Sequence, residues 1–253
     1  MNTPLIIGHR GASAVAPENT MAAFREAIAV GADGIEFDVR LTRDNVPVVI
    51  HDSTLRRTGG LSQRIADLTW SEVAKVDVGS WFSRSFANET VPSLAELFTL
   101  FESNDSMLYL EMKCDSAAEY APLAAACCEL IAQRGLKGRV VVECFQLPAL
   151  KIVREIDSDI QTVALFEPSI SNPSVLSDQS IINKATDVGA VALALHHRLA
   201  RRSLVEKAKH AGMHVAVWTV DDPSWIDRAR TLGIDALITN DPARLIHATR
   251  NVT

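Results

Sequence analysis

Gly34-Ile35-Glu36-Phe37-Asp38-Val39-Arg40-Leu41, Thr42-Arg43-Asp44-Asn45 and Val46-Pro47-Val48-Val49-Ile50-His51 follow one another without a break. Two β-branched, apolar runs thus flank Arg43-Asp44-Asn45, a connection too short for the helix that a parallel crossover needs. They are expected to pair as an antiparallel hairpin. With Asp44-Asn45 as its two-residue turn, both residues tolerant of positive φ, Asp38 falls opposite His51. Glu36 and Asp38 lie two apart and share a face, and this register adds His51 to it.

Outward from the hairpin, further strand-like runs cover residues 5–9, 107–113, 139–145, 160–166, 190–195, 214–220 and 234–239. Helical patterns cover residues 20–30, 93–101, 117–134, 147–156, 203–210, 223–231 and 242–248. Gly31, Gly135, Gly212 and Gly233 close several of them, as helix C-termini prefer. Nine strand candidates are one more than an eight-stranded barrel requires, and treating the hairpin as an excursion from the second strand removes the surplus. The expected fold is α/β, a (β/α)8 TIM barrel with a β-hairpin after strand 2. Residues 1–253 then form one barrel domain with a small inserted subdomain at about 53–92. Trp70, Trp81 and Phe82 of the insert either wall a pocket or make the insert's own core.

The 253 residues carry 25 Lys plus Arg against 31 Asp plus Glu, a net charge of −6, with 47% hydrophobic and 22% charged residues. That is the composition of a globular chain able to bury a real core. Without a Lys/Arg-rich run, a nucleic acid is not the expected partner. No basic leader followed by an apolar stretch is present, and no run of about 18 apolar residues occurs, so a cytoplasmic protein without stable membrane insertion is expected. Cys114, Cys127, Cys128 and Cys144 have neither a disulfide nor a zinc spacing, which implies buried, reduced thiols.

Barrel chemistry sits at the C-terminal ends of strands. There the chain offers His9-Arg10-Gly11, Glu36 and Asp38, His51-Asp52 and Glu111-Met112-Lys113, followed by Glu143, Phe145, Glu167, His196, His197, Trp218, Asn240 and Asp241. Glu36, Asp38 and Glu111, aimed into one mouth, would repel one another unless a cation neutralised them. An all-oxygen ligand set suits Mg²⁺ or Ca²⁺ better than zinc. His9 and His51 beside it fit a general base and a general acid. Arg10 and Lys113 add the positive charge that holds a phosphate, so the expected substrate is a phosphate ester. Lys113 has a rival reading as a Schiff-base lysine of an aldolase-type barrel, against which the neighbouring Glu111 weighs by raising its pKa.

His9-Arg10-Gly11, Pro17-Glu18-Asn19-Thr20, the run from Gly31 to Val39, Thr42-Arg43-Asp44, His51-Asp52, Glu111-x-Lys113 and Trp218-Thr219-Val220 together resemble the glycerophosphodiester phosphodiesterases. The resemblance runs from His9 to Asp241. It implies a (β/α)8 barrel related to phosphatidylinositol-specific phospholipases C. The implied reaction is hydrolysis of glycerophosphocholine, glycerophosphoethanolamine or a similar diester to sn-glycerol 3-phosphate and an alcohol. By the same resemblance Glu36, Asp38 and Glu111 bind Mg²⁺ or Ca²⁺, His9 and His51 are the catalytic pair, Arg10 and Lys113 hold phosphate, and Phe145 and Trp218 pack on the glycerol. Asn19 and Thr20 take supporting roles.

The implied partner is a small-molecule diester, with at most a second copy of the chain as a homodimer. Two alternatives stay open: a lyase that stops at a cyclic phosphate, and a non-catalytic ligand-binding barrel. The chain departs from the family pattern at Glu143-Cys144-Phe145, where Ser-Phe is more usual. Glu143 then either faces a cationic headgroup or is an extra buried carboxylate paired with an arginine.

Overall fold

In the computed structural model, residues 3–168 and 177–250 are described. Leu5–His9 is buried through its middle, as a strand covered on both faces must be, and forms β1. β2 (Gly34–Leu41), β4 (Met107–Met112), β5 (Val140–Cys144), β6 (Gln161–Phe166), β7 (Ala192–His196), β8 (His214–Trp218) and β9 (Ala236–Thr239) follow the same pattern. These eight strands pair in parallel, and pairing of β1 with both β2 and β9 closes them into the expected barrel. The interior is filled by Ile7, Val141, Val163, Leu165 and Ile238, with alanines at 192, 194, 216 and 236. A larger apolar layer, including Phe24, Phe37, Leu108 and Leu110, separates the strands from the surrounding helices.

β3 (Pro47–Val49) lies outside the barrel, antiparallel to the end of β2, with Val39 opposite Val49 and Leu41 opposite Pro47. This register differs by one residue from the expected one: Ile50, not His51, faces Asp38, its N–H donating to the Asp38 carbonyl over 2.9 Å. The cause is a three-residue loop. Thr42 still pairs with Val46, and Asn45 at φ 59° supplies the left-handed residue that such loops require.

Helices α1 (Met21–Ala29), α4 (Leu94–Leu100), α5 (Tyr120–Gln133), α6 (Leu147–Ile156), α7 (Asp178–Asp187), α8 (Arg202–His210) and α9 (Trp225–Leu232) occupy the crossovers, and α10 (Pro242–Arg250) follows the last strand. Thr20 caps α1 by accepting from Ala23 N–H, and Ser93 with Glu96 forms a capping box on α4. α7 was not among the expected helices. Only Ile181, Ile182 and Ala185 of its ten residues are buried apolar groups, so its periodic signal is thin.

Residues 53–92 hold two single-turn helices, α2 (Arg56–Gly59) and α3 (Trp70–Val73), over a small aliphatic core of Leu55, Ile65, Val73, Val78 and Val91 with Val48 and Ile50 of the hairpin. Trp70 packs beside that core, whereas Trp81 is 44% exposed and meets Phe82 edge-on. All four cysteines are free and buried. Among the described residues no helix is long and apolar enough to cross a membrane.

Candidate active site

A cavity of about 310 Å³ opens at the C-terminal ends of the barrel strands, lined by His9, Arg10, Glu36, His51, Glu111, Lys113, Phe145 and Trp218 among others. The catalytic, metal and substrate residues expected from the sequence line it except Asp38, which is fully buried and contacts two of the lining cations; His196, His197, Asn240 and Asp241, also offered at strand ends, do not line it. The insert's Trp70, Trp81 and Phe82 do not line it.

Each group arrives by a local cause. β1 delivers His9, and the chain then turns sharply. Arg10 takes φ 55° and Gly11 φ 84°, and a Cβ on Gly11 would come 2.7 Å from the Ala23 backbone, so the turn packs onto the start of α1 only with glycine there. A left-handed Arg10 is a strained backbone of the kind found at functional sites, and its N–H donates to Glu36 Oε2 at 3.1 Å. His51 reaches the mouth because β3 has already ended at Val49; the chain beyond is held where Arg40 Nε donates to the His51 carbonyl.

The two histidines have different partners. His9 Nδ1 lies 2.7 Å from Asn240 Oδ1, while the Asn240 amide donates from Nδ2 to Asp221 at 2.8 Å. A carboxylate only accepts, so this bond orients the amide, and the orientation requires His9 Nδ1 to donate. Its Nε2 is left unprotonated, 3.8 Å from Glu36. His51 Nδ1 instead meets the Asp52 carboxylate at 2.7 Å. Burial and then the Arg10 charge lower the His9 pKa to about 4. His51 is also lowered by burial, with Arg10 and Lys113 acting in the same direction and Asp38 and Asp52 opposing it.

Asp38 meets Arg10 at 3.2 Å, Lys113 at 3.5 Å and the Asn19 amide at 2.8 Å. Burial alone would raise its pKa; Arg10, Lys113 and His51 outweigh that and hold it well below the carboxylate range. Lys113 also bonds Glu111 at 2.8 Å, and despite its burial these two carboxylates raise its pKa. A lysine kept charged in this way is a poor Schiff-base nucleophile and a suitable phosphate holder. Phe145 and Trp218 meet edge-on with centroids 5.6 Å apart, and His196 also meets Trp218 edge-on at 5.1 Å.

Glu36, Glu111 and Glu143 converge, with one oxygen of each within 4.8 Å of the others. Register explains this: Glu111 stands level with Glu143 on β5 and with Asp38 on β2. Burial raises all three, and neighbouring carboxylate charge adds to it, Asp38 foremost for Glu36 and Glu111 and Glu111 foremost for Glu143; Glu111 reaches about 7. Glu143 is 2% exposed and, among the described residues, has no arginine partner, which removes one of the two readings of it. Glu167 lines the same cavity.

Supporting residues not singled out from the sequence complete the mouth. Arg57 of the insert bonds Asp52 at 2.8 Å and grips Glu18 at 2.6 and 2.8 Å, and Glu18 bonds Arg10 at 2.8 Å. Glu18 had a signal in Pro17-Glu18-Asn19-Thr20. Asp221 and Arg57 touch the chemistry only through another residue, so no motif marks them.

Residues 9–244 match the glycerophosphoryl diester phosphodiesterase family. A glycerophosphodiester phosphodiesterase of Caldanaerobacter subterraneus subsp. tengcongensis is 33% identical over 246 residues, covering 97% of this chain and 98% of its own. One from Bacillus altitudinis is 29% identical over 247 residues, 95% of this chain and 96% of its own. The solved structure of an Oleispira antarctica phosphodiesterase in complex with the product sn-glycerol-3-phosphate superposes with a TM-score of 0.88 at 27% identity, covering 98% of both chains. With a closed barrel and a match over nearly its whole length, the chain belongs to the glycerophosphodiester phosphodiesterase family of hydrolases.

Proposed function

We propose that the chain hydrolyses glycerophosphodiesters, such as glycerophosphocholine and glycerophosphoethanolamine, to sn-glycerol 3-phosphate and an alcohol with the help of a divalent cation, Mg²⁺ or Ca²⁺. The observation that carries this is the meeting of two histidines, two held cations and a buried carboxylate group in one cavity at the barrel mouth. The product bound by the Oleispira antarctica relative supports the same product here.

The carboxylates fit a divalent cation. Buried anions this close are costly without a counter-charge, and Glu143 Oε2 is buried with no hydrogen-bond partner. Glu36, Asp38 and Glu111 would hold it by resemblance, Glu36 and Glu111 also by proximity. When bound, the cation supplies positive charge for the phosphate oxygens as they become more negative.

The remaining work falls to the chain. Arg10 and Lys113 bind and orient the phosphate, and Asp38, between them, holds both cations in place. Phe145 and Trp218 wall the space for the glycerol. His9, its Nδ1 bonded to a neutral amide and its pKa about 4, is the general base that takes the proton from the glycerol 2-hydroxyl as its oxygen attacks phosphorus. His51, its Nδ1 against the Asp52 carboxylate that opposes the lowering of its pKa by burial, is the general acid that protonates the departing alcohol as the P–O bond breaks, and water then opens the cyclic phosphate to sn-glycerol 3-phosphate.

The test is release of glycerol 3-phosphate from glycerophosphocholine by metal-stripped protein, before and after Mg²⁺ or Ca²⁺ is restored. Release that requires added metal, and that His9→Ala or His51→Ala each lowers by about 10²–10⁴-fold, is expected. No release from any of a panel of diesters by folded, metal-loaded protein would overturn the proposal, and accumulation of a cyclic phosphate would replace hydrolysis with the lyase reaction.

A further inference from the structure

Glu143 is a buried carboxylate to which the proposed reaction gives no task of its own. It points into the cavity from β5, level with Glu111, and is 2% exposed. Its Oε2 has no hydrogen-bond partner, and among the described residues no lysine, arginine or histidine forms an ion pair with it. Neither a headgroup at the rim nor a structural arginine answers for so deep a charge.

Its distances do. Oxygens bound to one ion at about 2.3–2.6 Å can lie up to about 5 Å apart, and the oxygens of Glu36, Glu111 and Glu143 lie within 4.8 Å of one another. We propose that Glu143 is a ligand of the divalent cation beside Glu36 and Glu111, and that this added carboxylate turns the site toward Ca²⁺ over Mg²⁺. The inference rests on the metal-dependent reading above. Its physical basis is ligand number: Ca²⁺ accepts about 6–8 oxygens in flexible geometry, whereas Mg²⁺ demands a small octahedron, keeps several waters and is usually held by one or two carboxylates.

The experiment is calorimetric titration of metal-stripped protein with Ca²⁺ and, separately, with Mg²⁺, for the unaltered chain and for Glu143→Gln, Glu143→Ser and Glu143→Asp. Glu143→Gln keeps the shape and removes the charge, and thermal unfolding checks that each variant is folded. The expected result is a loss of Ca²⁺ affinity of about tenfold or more in Glu143→Gln and Glu143→Ser, a size that changes outside the ligand shell already reach. Mg²⁺ affinity changes less, and Glu143→Asp recovers part of the Ca²⁺ affinity. Mn²⁺ used as a relaxation probe should show more bound water in Glu143→Gln.

Ca²⁺ affinity within threefold of the unaltered chain in folded Gln and Ser variants overturns the ligand assignment. Equal weakening of both ions overturns the selectivity. If the unaltered chain binds neither ion, it is the metal-dependent reading that fails; if it binds Ca²⁺ and Glu143→Gln binds it equally well, only the role of Glu143 does.

Discussion

Asn240 is neutral where Asp52 is charged, and that difference of one side chain separates the two histidines. The bond to the Asn240 amide favours a protonated His9 but is outweighed by burial and the Arg10 charge, and the bond from Asn240 to Asp221 orients the amide so that Nδ1 donates and Nε2 stays free. Asn240→Asp puts a carboxylate against Nδ1 and raises the His9 pKa, by about one unit or more. Because the base must be unprotonated, the acid-side limb of the kcat/KM profile then moves to higher pH. An unmoved limb would mean that His9 is not the base. His9, His51, Arg10 and Lys113 were legible because strand-end motifs carry them, whereas Asp221 acts only through Asn240 and leaves no motif. Glu143 was visible as a residue but not as a neighbour of Glu36 and Glu111, since that proximity depends on how three strands are staggered.

At the scale of elements, the hairpin is where reading and structure part by one residue. Its strands were legible from β-branched runs, but Asp44-Asn45 is equally compatible with two-residue and three-residue loops, and the choice moves every pairing. His51 still reaches the mouth because it lies beyond the end of β3. Asn45 carries the turn at φ 59°, where a β-branched side chain is strained. Asn45→Val is expected to cost about 1–2 kcal/mol by chemical denaturation and Asn45→Gly close to none; equal losses would show that the left-handed conformation is not what matters.

The insert is tied to the mouth through α2 by Arg57, which bonds Asp52 and Glu18 together. Its side chain is 41% exposed, so Arg57→Ala should cost at most about 1 kcal/mol of stability. It should nevertheless lower kcat by about tenfold, because the supports of His51 and Arg10 lose their shared anchor. A stability loss with kcat unchanged would make the latch purely structural.

For the whole molecule, the barrel concentrates in its mouth a negative charge that the rest of the chain does not neutralise, and this couples folding to pH and to metal. Glu111 titrates at about 7 in the folded protein against an ordinary 4.5, with Glu36 and Glu143 raised in the same direction. Glu111 stabilises the metal-free fold fully below 4.5 and loses that contribution as pH rises through about 7, and Glu36 and Glu143, raised well above the ordinary value, act in the same sense. His9 works in the opposite sense: at about 4 in the fold against 6.5 in the unfolded chain, its contribution is present above 6.5 and is lost as pH falls through 4. The two windows oppose each other in mildly acidic solution, and above about pH 6.5 the carboxylates act alone.

The metal-free protein is therefore expected to lose Tm as pH rises from about 6.5 to 8. The slope is about 1.4 kcal/mol per pH unit for each proton released, and each kcal/mol is worth about 2–4 °C in a chain of this size. A saturating divalent cation replaces the missing protons and flattens the slope, so the gap between loaded and metal-free Tm widens with pH. Differential scanning calorimetry at several pH values, with and without Ca²⁺, measures that gap. A gap of constant size would mean that the three carboxylates are already ionised without metal and that something other than the cation neutralises the mouth.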